Sequence, residues 1–236
     1  MDALISRIEK TFSNKKIRPT EELLAYAKAC DEFAMHKLTD DELQSALCEY
    51  LDMSALRIRA LSEVLDRAKE PALSEIVTES INMLVDSFIR KMGLCEEGFS
   101  VSSEKNVRLS SGIYRKPDVG IWKNDKLKLI IECKTSLGRR RKEWQDDFEK
   151  RVVEFSSVGL PATSVMLFVG TDTTWKGFPS GDKRINETWF SLCPVGTWYG
   201  GGKAGETTMS SKQHSNVVKK FKTAIFSSIV EKSEFM

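Results

Sequence analysis

Apolar residues recur at helical spacing through roughly the first ninety positions of the chain and at strand spacing after them. Thr39-Asp40-Asp41-Glu42 is a capping-box pattern, and Leu43, Ala46, Leu47, Tyr50 and Leu51 follow it three and four residues apart. Leu61, Val64, Leu65 and Ala68 keep the period until Pro71 interrupts it. Residues 1–70 are therefore read as helical hairpins that form a small subdomain, with a second domain over 71–236. From Ala72 to Met92 the positions Val77, Ile81, Leu84, Val85, Phe88, Ile89 and Met92 form one stripe, and Gly93 is well placed to end that helix.

After Gly93 the period shortens. The pattern predicts strands over Phe99–Leu109, Lys116–Trp122 and Lys126–Thr135, with Asn124-Asp125 turning between the last two. A helix is expected over Arg140–Ser156, with Trp144, Phe148, Val152 and Phe155 on one side, then a buried strand over Ser164–Val169. Residues 171–212 are rich in Gly, Ser and Thr and read as irregular or as short strands, and a closing helix spans about Ser215–Val230. The expected order from Ala72 is helix, three strands, helix, strand. That makes an α/β fold.

Composition narrows the chemistry. The chain has 236 residues, 41% hydrophobic and 30% charged, enough for one substantial core. No apolar run approaches the roughly 18 residues of a membrane span, and charges interrupt the start, so a soluble cytoplasmic protein is expected. Cys30, Cys48, Cys95, Cys133 and Cys193 are odd in number and scattered, which reads as free thiols in a reducing compartment. His36 and His214 are the only histidines, so catalysis is expected to rest on carboxylates and lysine. The net charge of +2 hides an asymmetry. The first hundred residues hold 13 basic against 19 acidic side chains, a net −6, and the remainder 23 against 15, a net +8. A basic second part suits a polyanionic ligand.

Alternation along the Lys126–Thr135 strand puts Leu127, Leu129, Ile131 and Cys133 on one face and Lys128, Ile130, Glu132 and Lys134 on the other. An acid and a base beside a core are costly unless something uses them. A hairpin would bring Asp118, at the Pro117-Asp118 start of the adjoining strand, beside Glu132. Two converging carboxylates suit a hard divalent cation such as Mg²⁺, with Mn²⁺ expected to substitute. A lysine on the same face suits orienting water or balancing developing charge.

Pro117-Asp118, a 14-residue step, and Glu132-Cys133-Lys134 together resemble the PD-(D/E)XK nuclease superfamily. The resemblance covers about residues 72–170 and implies a restriction-endonuclease-like core, a mixed sheet flanked by helices in the order αβββαβ, behind the N-terminal helices. It implies that Asp118 and Glu132 hold the metal, with Cys133, next to Glu132, included in the metal set, and that Lys134 is the catalytic lysine. Many members add a carboxylate from the preceding helix. Sequence distance favours Glu79, and the helical wheel favours Glu75; Glu79 is preferred and Glu75 kept as its rival.

Gly138-Arg139-Arg140-Arg141-Lys142 follows the site strand and opens a helix, where it is expected to grip DNA phosphates. Gly112-Ile113-Tyr114 spells half of another nuclease signature without the other half, and Gly200–Gly205 lacks the hydroxyl residue of a phosphate loop. The expectation is a Mg²⁺-dependent endonuclease acting on double-stranded DNA, of restriction type, working as a homodimer through its N-terminal helices. A structure-specific repair or recombination nuclease, and a non-catalytic DNA-binding module, are the alternatives.

Overall fold

The computed structural model describes residues 3–65, 70–136, 141–171, 183–185, 187–193 and 216–230. Three helices come first: α1 (Leu4–Asn14), α2 (Glu21–Ala34) and α3 (Asp40–Leu65). The Thr20 hydroxyl accepts from Leu23 N to start α2. The capping box before α3 forms in both directions. Thr39 N donates to Glu42 at 2.8 Å, and Glu42 N donates to the Thr39 hydroxyl at 3.3 Å. Leu43, Leu47 and Leu51 are buried, but Leu61, Val64 and Leu65 are exposed. The helical period is therefore correct to the end of α3, while its last turns run past the neighbouring elements.

α4 (Glu70–Lys91) carries the predicted stripe, with Val77, Ile81, Leu84, Val85, Phe88 and Ile89 all buried, whereas Met92 is exposed. Gly93, at φ +70°, ends it. Leu94 N donates to Ile89 O and Gly93 N to Arg90 O, which satisfies two terminal carbonyls in a Schellman arrangement.

A five-stranded sheet follows, built of β1 (Phe99–Ser103), β4 (Val119–Lys123), β5 (Lys126–Ser136), β6 (Val165–Thr171) and β7 (Trp189–Cys193), in that spatial order. β1, β4 and β5 are antiparallel; β5, β6 and β7 are parallel. The parallel step from β5 to β6 is made through α5 (Arg141–Ser156). The strand expected over Phe99–Leu109 is broken after Ser103, where Glu104 takes φ +50°. The chain then forms a separate two-stranded ribbon, β2 (Val107–Arg108) with β3 (Tyr114–Arg115). Asn124 and Asp125 both have positive φ, as a tight hairpin turn requires. The final helix is α6 (Val217–Val230).

The sheet separates two cores. Leu129, Ile131 and Cys133 of β5 face one that also contains buried residues of α1 to α4 and α6. Ile130 faces the other, with Phe148 and Phe155 of α5, Trp122 and Trp189. Leu51 and Ala55 of α3 and Leu73 and Val77 of α4, on either side of residue 70, share the first core. Leu127 departs from the expected alternation. It packs in the second core, because Ile121 pairs with Leu129 and Trp122 with Leu127, leaving Lys128 as an extra residue in a bulge. Gly120 makes room for this: a Cβ there would lie 2.9 Å from the Trp122 indole nitrogen. No helix among the described residues is long and apolar enough to cross a membrane.

Candidate active site

The β4–β5 register fixes the site. Val119 pairs with Ile131, so Asp118, one residue before β4, stands across from Glu132. Glu132 pairs with Leu167 of β6, a residue of the second core. Asp118 is held by the backbone itself, since Cys133 N donates to Asp118 Oδ2 at 2.7 Å. Lys134 Nζ is 3.9 Å from the same oxygen. Asp118, Glu132 and Lys134 are thereby brought to one side of the sheet.

Glu132 is the anomalous member. It is 3% exposed, and its Oε1 has no hydrogen-bond partner. Burial and the neighbouring Asp118 carboxylate push its pKa up from an ordinary 4.5 to about 7, against the pull of Arg151 and Lys134. Arg151 Nη2 lies 3.6 Å from Glu132 Oε2. Arg151 is absent from the sequence-derived set. It sits on the α5 face that carries Phe148 and Phe155, and one more cation in a helix rich in charge gives no warning that it turns toward the sheet. One turn further, Glu154 takes two hydrogen bonds from Arg115 of β3.

Glu79 reaches the end of β1 beside the residue paired with Val119. Its Oε1 accepts from the Ser103 hydroxyl at 3.2 Å, at the end of β1, and Glu75 is exposed on the preceding turn of α4. Thr78, between them in the chain, hydrogen-bonds the Cys133 thiol, and burial raises that thiol's pKa well above its usual range. The Cys133 side chain thus points into the first core, away from the carboxylates. Arg139 and Arg140 lie outside the described residues. Arg141 and Lys142 open α5, and their side chains are likewise outside the description.

Among the described residues no three His, Cys, Asp or Glu side chains converge on one point. The donors that do converge are carboxylate oxygens, and one is buried without a partner. That pair fits Mg²⁺, which commonly takes one or two carboxylates and completes its shell with water and substrate oxygens. Cys30, Cys48, Cys95 and Cys133 form no disulfide among the described residues. No protein-family model, curated protein or solved structure matches the chain.

Proposed function

We propose that the chain is a metal-dependent nuclease of the PD-(D/E)XK type, hydrolysing phosphodiester bonds of double-stranded DNA. The observation that carries the reading is Glu132: a buried carboxylate with an orphaned oxygen, opposite Asp118 and on the same strand face as Lys134. A buried, partly unsatisfied carboxylate is expensive to keep unless a ligand completes it. The element order from α4 through β6, once the β2–β3 ribbon is set aside as an insertion, also supports a restriction-endonuclease-like core.

In this reading Asp118 and Glu132 hold Mg²⁺ or Mn²⁺. The bound metal supplies charge neutralisation at the phosphate and a water of lowered pKa. The protein's own residues do the rest. The Cys133 amide fixes the Asp118 carboxylate, so its free oxygen keeps one direction. Lys134 offers its ammonium protons to the attacking water or to a phosphate oxygen. Arg151, a third exposed and already beside Glu132, is suited to a second phosphate oxygen. Arg139 to Lys142 are proposed as a sequence-independent phosphate grip at the start of α5, and a homodimer as the form that cuts both strands.

The test is incubation with a supercoiled plasmid in Mg²⁺, with and without excess chelator, followed by mapping of fragment ends. Metal-dependent cutting at discrete positions supports a restriction-type enzyme. Metal-dependent cutting only at branched or damaged DNA supports the repair class. Binding without cutting in either metal leaves only the DNA-binding module.

A further inference from the structure

The Gly112-Ile113-Tyr114 segment is the turn end of the β2–β3 ribbon. Leu109 N donates to Ile113 O at 2.8 Å and Gly112 N to Leu109 O at 2.9 Å, and Gly112 closes the turn at φ +82°. The ribbon is fixed on its inner side. Val107 and Leu109 are buried in the second core, Arg115 makes twin hydrogen bonds to Glu154, and the Ser110 hydroxyl donates to Ser157 O on the chain just after α5.

Its outer side combines apolar and cationic groups. Ile113 and Tyr114 are 51% and 59% exposed, and Arg108, directly paired with Tyr114, is exposed beside it. Lys116 is exposed on the way to Asp118. From Arg108 to Lys116 the chain has three cations and no carboxylate. Neither Arg108 nor Lys116 forms an ion pair among the described residues. So a rigid two-stranded ribbon presents an aromatic ring, an aliphatic side chain and two uncompensated cations. It leads directly to Asp118, one residue before β4.

We propose that the outer face of the β2–β3 ribbon is a DNA contact, which rests on the nuclease reading for its choice of polyanion. Arg108 and Lys116 take phosphates, and Tyr114 with Ile113 packs on sugars or bases. A two-stranded ribbon has the width of a major groove, and an exposed aromatic beside cations suits nucleic acid better than an acidic protein. Because Tyr114 lies four residues before Asp118, a ribbon seated on DNA fixes where the carboxylates meet the backbone.

The experiment is equilibrium binding of a fluorescently labelled 30-base-pair duplex to the full chain without divalent metal, over a series of salt concentrations, with sedimentation of each protein alone. Arg108→Ala/Lys116→Ala is expected to flatten the log–log salt slope by about two. Tyr114→Ala is expected to weaken binding about tenfold and leave the slope unchanged. All three side chains are exposed, so unfolding temperatures should match the parent. Parent-like affinity and slope in both variants would overturn the proposal. So would a parent that binds no duplex, or variants that alter only self-association, which would make the ribbon a protein interface. A parent that binds through the ribbon but never cuts would sink the nuclease reading and leave the ribbon standing.

Discussion

Arg151 holds its guanidinium 3.6 Å from Glu132 Oε2, while Glu132 Oε1 has no hydrogen-bond partner. The carboxylate is therefore paired on one side, and its other oxygen is buried without a partner. In the nuclease reading that oxygen faces the metal, and the arginine sits where it can meet phosphate.

This pair should be coupled in stability. In metal-free protein, Arg151→Ala strips the nearest counter-charge from a buried acid, whereas the same change beside Glu132→Gln strips nothing. A double-mutant cycle by urea unfolding is expected to give a coupling of about 1–2 kcal/mol. Additive effects would mean that the ion pair contributes nothing. Arg151→Lys should recover part of the cleavage lost in Arg151→Ala.

The raised pKa of Glu132 gives a pH signature. Its folded value, about 7, stands above its ordinary 4.5, so its contribution to stability is fully present below about 4.5 and is lost as pH rises through about 7. Glu132→Gln removes that loss. Metal-free Glu132→Gln should be more stable than the parent at pH 8, by up to about 3 kcal/mol, and indistinguishable from it at pH 4. A difference that stays constant across this range would show that folding does not shift the Glu132 pKa.

Metal should reverse the penalty in the parent. At Mg²⁺ concentrations about 100-fold above the dissociation constant, stabilisation of about 2.7 kcal/mol is expected, read as a rise in unfolding temperature. Asp118→Asn and Glu132→Gln should lose most of that rise. Equal rises in parent and variants would put the metal elsewhere.

The basic turn before α5 acts on a different quantity. Replacing Arg139, Arg140 and Arg141 with Ala should weaken binding to all duplexes and lower the salt slope by about one for each phosphate that is no longer neutralised. An unchanged slope would shift attention to Lys183, Arg184, Lys219 and Lys220. Of these, Arg184 already stacks on Trp189 and pairs with Glu149.

The parts of this structure legible in the sequence were those fixed by local chemistry. Thr39 and Glu42 announce the start of α3, Gly93 the end of α4, and Asn124-Asp125 the hairpin that sets Asp118 opposite Glu132. What escaped depends on distant partners. The bulge at Lys128 goes with the packing of the Trp122 ring over Gly120 within β4, and no alternation pattern shows it. β7 falls in the Gly- and Ser-rich stretch read as irregular or as short strands; its bounds, Trp189 to Cys193, are set by pairing with β6. Arg151 was missed for the same reason: its meaning comes from Glu132, across the layer between helix and sheet.

The most direct measurement is plasmid cleavage by Asp118→Asn and Lys134→Ala beside the parent, with DNA binding and unfolding temperature recorded for each. The account predicts that the parent cuts only with Mg²⁺ or Mn²⁺, and that both variants fold and bind DNA but cut at least a hundredfold more slowly, on the order of the loss seen when a single charge-stabilising donor is removed. Cutting by Lys134→Ala at near the parent rate, or by the parent in excess chelator, would contradict it.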